Sequence, residues 1–154
     1  MSDAITSMTL TPIGFVRSPI KEPTPERLNL KGIISEIVVD ASLTEALDGL
    51  EGFSHIIVLY WMHKAIIEKK RLKAHPMGRT DVPEQGIFAL RTPRRPNPIG
   101  KSTVRLLERR ANILRVQGLD AIDGTPVIDI KPYIPDYDSA KDATAPDWIV
   151  REEK

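Results

Sequence analysis

Four polar side chains on one proline-stiffened stretch, Arg91, Arg94, Arg95 and Asn97, are the residues of this sequence best suited to chemistry. Guanidinium groups engage carboxylates and phosphates through two parallel hydrogen bonds, and an asparagine side chain offers a donor and an acceptor together. The stretch runs Arg91-Thr-Pro-Arg-Arg-Pro-Asn-Pro-Ile-Gly100. Pro93, Pro96 and Pro98 each fix their own φ and remove a backbone donor, so a stiff loop is expected there. Thr92, Arg95 and Asn97, each preceding a proline, are pushed toward extended geometry, and Gly100 is expected to take a positive φ on entering the next strand. The loop's carbonyls, without ladder partners, are expected to stay open to donors. On the loop alone, a connector with solvated arginines is an equally good reading.

The elements that must hold this loop read mostly as β. Expected strands are Leu10 to Val16 (broken by Pro12, hence an edge or entry position), Ile33 to Val39, Phe53 to Trp61, Ile87 to Leu90, Thr103 to Leu107, Ile113 to Leu119 and Val127 to Ile130. Phe53 to Trp61 is apolar without alternation and reads as buried on both faces. Ser42 and Glu45 have capping-box spacing, which predicts a helical turn or two from Ser42 to Leu47, ended by Gly49. A short helix is expected before Lys73, then a loop at His75-Pro76 and Gly78. Asn112 falls in the turn between the fifth and sixth strands, and Asp123-Gly124 signals a hairpin between the last two. Seven short strands and one or two brief helices predict a small closed or partly closed antiparallel β-barrel, since closure removes exposed edges.

Composition narrows the functions available. A chain of 154 residues, 41% hydrophobic and 28% charged, is expected to fold as one domain over 1–138, with 139–154 an extension fading into a mobile terminus. Without cysteine there are no disulfides, thiolate zinc sites or cysteine nucleophiles. The N-terminus lacks a basic region followed by an apolar one, and the longest apolar run, Ile56 to Met62, is too short to span a bilayer, so a cytoplasmic protein with no membrane partner is expected. Net charge is only +1, yet Arg91 to Arg110 holds seven basic residues against the single acid Glu108. A second basic cluster contains Lys64, Lys69, Lys70, Arg71, Lys73 and Arg79. If the two share a face they attract phosphates; otherwise they are two solvated surfaces.

Several chemistries have no motif. No glycine pattern suits a dinucleotide fold or a phosphate loop, and G-x-S-x-G is missing. His55, His63 and His75 have no metal-ligand spacing, so no metal is expected. Hydrolysis by paired carboxylates would require Asp120, Asp123 or Asp129 to converge, which spacing does not indicate.

Four ordered motifs carry a resemblance: Pro12-Ile-Gly-Phe-Val-Arg-Ser-Pro19, Gly49-Leu-Glu-Gly-Phe-Ser-His55, Arg94-Arg-Pro-Asn-Pro-Ile-Gly100, and Asp120-Ala-Ile-Asp-Gly-Thr-Pro-Val-Ile-Asp-Ile-Lys-Pro-Tyr133. Together they resemble the TrmO family, also called TsaA-like or YaeB-like, over Leu10 to about Asp138. The resemblance implies a homodimeric methyltransferase that uses S-adenosyl-L-methionine on a non-Rossmann β-barrel, with its site near the subunit interface. The implied substrate is a tRNA anticodon stem-loop, methylated at N6 of the threonylcarbamoyl-modified adenosine just 3′ of the anticodon. Some bacterial members have an additional C-terminal domain, for which this chain is too short.

By motif position, the resemblance assigns cofactor contacts to His63, Lys64, Arg91, Lys101, Gly118, Leu119, Asp120 and Ala121, with a looser match at Pro25, Glu26 and Arg27. Adenine N6 is a weak nucleophile because its lone pair is delocalised, so acceptors on its hydrogens would stabilise the charge developing in transfer. Asn97 and the carbonyl of Pro98 are expected to supply them. Arg94 and Arg95 suit the threonylcarbamoyl carboxylate or RNA phosphates. Alternation places Asp129, Lys131 and Tyr133 on one side of a strand, either facing the pocket, with Asp129 balancing the cationic transition state, or bracing the barrel through Asp129 and Lys131. Competing readings are a non-catalytic module binding S-adenosyl-L-methionine or RNA, and a methyltransferase of the same scaffold with another acceptor.

Overall fold

The computed structural model describes residues 6–23, 30–65 and 71–149. Eight strands follow in chain order: β1 (Gly14–Arg17), β2 (Ile34–Val39), β3 (His55–Trp61), β4 (Lys73–Ala74), β5 (Gln85–Gly86), β6 (Ile99–Arg110), β7 (Ile113–Gln117) and β8 (Pro126–Pro132). One helical turn, α1 (Pro135–Asp138), comes after them. Six strands close a barrel in the order β1-β2-β7-β6-β3-β8, with β8 returning to β1 and every neighbouring pair antiparallel. β4 and β5 form a separate two-stranded ribbon. Among the described residues no helix is long and apolar enough to cross a membrane.

The interior is built by period-two alternation. Val16, Ile37, Val39, Ile56, Val58, Tyr60, Val104, Leu114, Val116 and Val127 point inward and form one buried cluster with Leu47 and Leu119. Each fully buried aliphatic side chain contributes roughly 1.5–3 kcal/mol, which makes this inner face the main determinant of register. β3 alternates too: Ile56, Val58 and Tyr60 are buried, while His55, Ile57, Leu59 and Trp61 are half-exposed outside. Burial on both faces was the wrong expectation, because a barrel has one interior and, among the described residues, the outer side chains of β3 stay half-exposed.

The barrel has six strands and not seven. Ile87–Ala89 forms a 3-10 turn where a strand was expected, closed by Leu90 N–H donating to the Ile87 carbonyl at 3.1 Å. Both edges of β3 are already occupied, by β6 and β8. β6 extends to twelve residues, well beyond Thr103 to Leu107, and turns into β7 at Ala111 and Asn112 as expected. β1 begins after Pro12 and pairs on both sides, so it is no edge. Asp123-Gly124 does turn, with Gly124 at φ 82°, but makes no hairpin: β7 lies between β2 and β6, and β8 between β1 and β3.

Ala41–Leu47 is a 3-10 segment capped by Asp40 and not by Ser42. The Asp40 carboxylate accepts from the Ser42 hydroxyl at 2.7 Å and the Ser42 amide at 2.9 Å, which holds its pKa below the usual carboxylate value. The helix expected before Lys73 falls largely on 66–70, outside the described residues. In the tail, Arg79 donates to the Trp148 carbonyl at 2.9 Å.

Candidate functional site

Antiparallel closure sorts the loops by end. Among the described residues, one end collects the segments after β1, β3 and β7 and before β2, β6 and β8, which are positions 18–23, 30–33, 62–65, 71–98 and 118–125. The opposite end carries the shorter connections 40–54 and 111–112. The proline loop, His63, Lys64 and Gly118 to Ala121 therefore share one end despite lying up to 58 positions apart in the chain (121 − 63).

Hydrogen bonds join these loops. Met62 N–H donates to the Pro98 carbonyl at 2.8 Å, one step beyond the last ladder pair of Trp61 with Ile99. That bond delivers His63 and Lys64, both exposed, beside Asn97. Lys64 Nζ pairs with Glu22 Oε1 at 2.8 Å and draws in the loop after β1. This loop is held from its other side by Asp123, whose carboxylate accepts from Ser18 N–H at 2.9 Å and pairs with Lys21 at 3.2 Å. The Ser18 amide and then the Lys21 ammonium keep the Asp123 carboxyl below its ordinary pKa.

Tyr60 secures the third loop. Its hydroxyl donates to the Asp120 carbonyl at 2.7 Å and lies 2.9 Å from Ser102 Oγ. Asp120 N–H in turn donates to Ser102 Oγ at 3.4 Å, so one phenol and one serine hang Gly118 to Ala121 on β3 and β6. Gly118 enters the loop at φ 93°, and Leu119 plugs the barrel with no exposure. Gly100 does not take a positive φ; it lies within β6 opposite Tyr60, whose ring occupies the space a side chain would need. Tyr60, Ser102 and Asp123 were missed as positioning residues, and a polar-tipped aromatic inside an apolar strand was the one local signal.

Desolvation is the main cause that pushes the Tyr60 phenol up to about 12. An unfolded tyrosine ionises near 10. The folded state thus retains a proton that the unfolded state loses, and the stability from Tyr60 is fully present below about pH 10 and declines as pH rises toward about 12. Compared with Tyr60→Phe, the wild type is expected to lose roughly 2 kcal/mol of relative stability across that window. Urea denaturation of both proteins at pH 9 and pH 11.5 measures it, and a constant gap between them would refute the shift.

The proline loop is stiff, and several of its carbonyls are engaged. The Asn97 carbonyl accepts from Ile99 N–H at 2.7 Å, Pro98's from Met62, and Pro93's from Arg95 N–H at 2.9 Å. Pro98 is buried, and its carbonyl joins the end of β3 to the loop through Met62 N–H. Arg95 braces the loop by donating to the Leu90 carbonyl at 2.9 Å and the Thr92 carbonyl at 3.3 Å. Arg91, Arg94 and Asn97 are exposed, and the Asn97 side chain has no hydrogen-bond partner among the described residues.

Other expected residues lie apart. Lys101 and Asp129 face outward in one cross-strand row through Leu59. Asp129 accepts from Ile130 N–H at 2.9 Å and pairs with Lys131 at 3.0 Å, the bracing arrangement. Tyr133 bonds the His55 carbonyl through its amide and meets the His55 ring edge-on at 6.3 Å. It thus sits at the far end of β3, roughly 20 Å along the strand from the loop cluster of the same chain. Asp123 is held by Ser18 and Lys21, and Asp129 by Ile130 N–H and Lys131 on the barrel's outer face, so these two carboxylates have different partners. Pro25, Glu26 and Arg27 lie outside the described residues.

A family model described as tRNA-methyltransferase O N-terminal domain matches residues 15–139. A probable S-adenosyl-L-methionine-binding protein of Methanothermobacter thermautotrophicus is 48% identical, over 90% of this chain and 98% of its own length. The tRNA (adenine(37)-N6)-methyltransferase of Escherichia coli is 37% identical, over 92% of this chain and 64% of its own. The crystal structure of TrmO from Pseudomonas aeruginosa superimposes with a TM-score of 0.72 at 35% identity, covering 90% of this chain and 62% of that one. The chain thus spans about three fifths of that solved structure. With the family model matching most of its length and its barrel shared with a solved member, the chain belongs to the TrmO family.

Proposed function

We propose that this chain is a cytoplasmic S-adenosyl-L-methionine-dependent tRNA methyltransferase acting on N6 of the threonylcarbamoyl-modified adenosine just 3′ of the anticodon. The observation that supports this most is the unpartnered side chain of Asn97 held among the loops of one barrel end. Those loops suit a nucleoside cofactor that carries a carboxylate as well as a sulfonium: His63 and Lys64 after β3 and Arg91 at the start of the proline loop offer donors to the carboxylate, and Gly118 to Ala121 is pinned by Tyr60 with Asp120 on its exposed side. Lys101, one row into the outer face, and the segment of Pro25, Glu26 and Arg27 complete the proposed contacts by motif position.

When bound, the cofactor supplies an activated methyl group, so the protein's work is alignment and exclusion of water. Asn97 would accept a hydrogen bond from N6, localising its lone pair and stabilising the positive charge that develops there during transfer. The excess N6 proton then leaves to solvent. Arg94 receives an anionic group of the RNA. Asp129, paired with Lys131 outside the barrel, and Tyr133 at its far end can reach this centre only from a second subunit. A homodimer is proposed on the half-exposed outer row of Ile57, Leu59, Trp61 and Ile99, an apolar face that the described residues leave half-exposed.

Methyl transfer from labelled cofactor into tRNA with and without the threonylcarbamoyl group tests the reading. Incorporation only into modified tRNA, by a species sedimenting as a dimer, is expected. Equal incorporation into both overturns the acceptor, and a monomer overturns the shared site. Cofactor binding with no incorporation would favour the second reading, a binding module, suggested by relatives named as S-adenosyl-L-methionine-binding proteins.

A further inference from the structure

Phe88 is 83% exposed, although the backbone that carries it is held on both sides. It is the middle residue of the 3-10 turn Ile87–Ala89. Before it, Ile87 is buried and its N–H donates to the Leu72 carbonyl at 2.9 Å, continuing the ribbon of β4 and β5 by one step. After it, Leu90 N–H returns to the Ile87 carbonyl at 3.1 Å, and the Leu90 carbonyl accepts from the Arg95 guanidinium at 2.9 Å. Ile87 takes the inward place, so the next ring is held out in solvent by a fixed backbone and not by a loose loop. A ring that gains from leaving water but is fixed outside is available to a planar partner.

The surroundings are open and suit a polyanion. Lys73 stands opposite Gly86 in the ribbon, is exposed, and its ammonium has no hydrogen bond or ion pair among the described residues. No atom lies within 4 Å of where a Gly86 side chain would start, so the ribbon surface between Lys73 and the turn has room for a flat group. Leu72, across the ribbon from the turn, is 73% exposed as well. From Gln85 to Leu107 the sequence holds no acidic residue, so no carboxylate of that segment repels a phosphate chain. The Arg95 bond ties the turn to the proline loop, which places Phe88 at the same barrel end as Asn97.

We propose that Phe88 is a stacking platform for an unpaired base of the RNA substrate. The inference rests on the tRNA reading above and extends it to a residue outside the proposed cofactor contacts and the methyl-transfer centre. Single-stranded loops expose base faces that stack on aromatic side chains, and an aromatic face beside a free ammonium is the combination that holds them. The core of a protein interface is instead depleted in charge, and in lysine above all. Arg91, assigned above to the cofactor, follows the turn by two residues, so a base on Phe88 would lie next to the region where the acceptor adenine must arrive.

The test measures binding of an unmodified, fluorescent anticodon stem-loop RNA to wild type, Phe88→Ala, Phe88→Leu and Phe88→Trp across a salt series. Phe88→Ala is expected to bind about 5- to 150-fold more weakly, the range of one stack between a base and an aromatic ring. Phe88→Leu should lose nearly as much, because it keeps apolar area without a π-face, and Phe88→Trp should bind within about threefold of wild type. The log–log salt slope should be the same for all four, since a stack neutralises no phosphate. Loop nucleotides are then made abasic one at a time. At one position wild type should fall to the affinity of Phe88→Ala, while Phe88→Ala itself should be indifferent to that change. Leucine that matches wild type, or no abasic position coupled to Phe88, overturns the stack. So does a Phe88→Ala protein with a lowered urea midpoint, which assigns the ring to the fold. Weaker S-adenosyl-L-methionine binding in calorimetry would assign it to the cofactor, and sedimentation as a smaller species to a second copy of this chain; either result also overturns the stack. Wild type that binds no RNA at all overturns the tRNA reading together with the stack, whereas wild-type binding that Phe88→Ala matches overturns the stack alone.

Discussion

Replacing Gly100 with alanine is expected to destabilise the protein by about 2–4 kcal/mol, the sum of an overpacked core and one or two lost hydrogen bonds. A Cβ at this position would fall 2.3, 2.6 and 2.9 Å from three carbons of the Tyr60 ring. The ring cannot yield cheaply, since it is buried in the barrel and its hydroxyl is committed to the Asp120 carbonyl and Ser102. Displacing it frees Gly118 to Ala121, so affinity for S-adenosyl-L-methionine should fall with stability. Urea denaturation measures the first effect and calorimetry the second. Tyr60→Phe separates the causes, because it deletes the hydroxyl without creating the clash and should cost less than Gly100→Ala. In a Gly100→Ala, Tyr60→Leu double variant the clash is gone, and the two costs should sum to less than their separate values. A Gly100→Ala protein within 0.5 kcal/mol of wild type, the scatter of innocuous surface changes, would sink this account.

Gly100 also shows where reading the sequence stops. Its place after a proline loop suggested a turn, whereas its cause is the ring opposite it on β3, 40 positions earlier (100 − 60). Cross-strand register is a long-range property that no local spacing carries. The same limit explains the carbonyls of Asn97 and Pro98: the prolines foretold a stiff loop, but the partners Ile99 N–H and Met62 N–H depend on how β3 meets β6. Asp123-Gly124 was legible as a turn because its chemistry is local, and illegible as a clamp on Ser18 and Lys21 because strand order is global. β3 hid its alternation because its outward residues Ile57, Leu59 and Trp61 are apolar as well. Alternation likewise linked Tyr133 with Asp129 but said nothing of which barrel end Tyr133 would reach. That the loops of His63, Asn97 and Asp120 open at one barrel end follows from strand order, which no local spacing carries.

Asn97→Ala is expected to lower kcat by about 100- to 1,000-fold, the range found when one preorganised group that stabilises transition-state charge is removed. Stability should change by less than about 0.5 kcal/mol, because the side chain is exposed and has no partner to abandon. The loop should keep its shape, since the Asn97 carbonyl holds Ile99 N–H and Pro98 holds Met62 N–H without help from the amide side chain. KM for cofactor and for tRNA should therefore stay within a few-fold, which marks an interaction made in the transition state and not in the ground state. Asn97→Asp discriminates further. It retains an acceptor for the N6 hydrogen and adds a negative charge beside a nitrogen becoming positive, so it should preserve far more turnover than alanine does. Single-turnover methyl transfer with both substrates saturating reads the chemical step directly. Wild-type rates in Asn97→Ala would remove Asn97 from the reaction and leave the unpartnered amide without a catalytic role. Equal loss in the alanine and aspartate variants would keep the position but assign its work to the amide donor, so that Asn97 would orient the adenine through its ring nitrogen instead of activating N6.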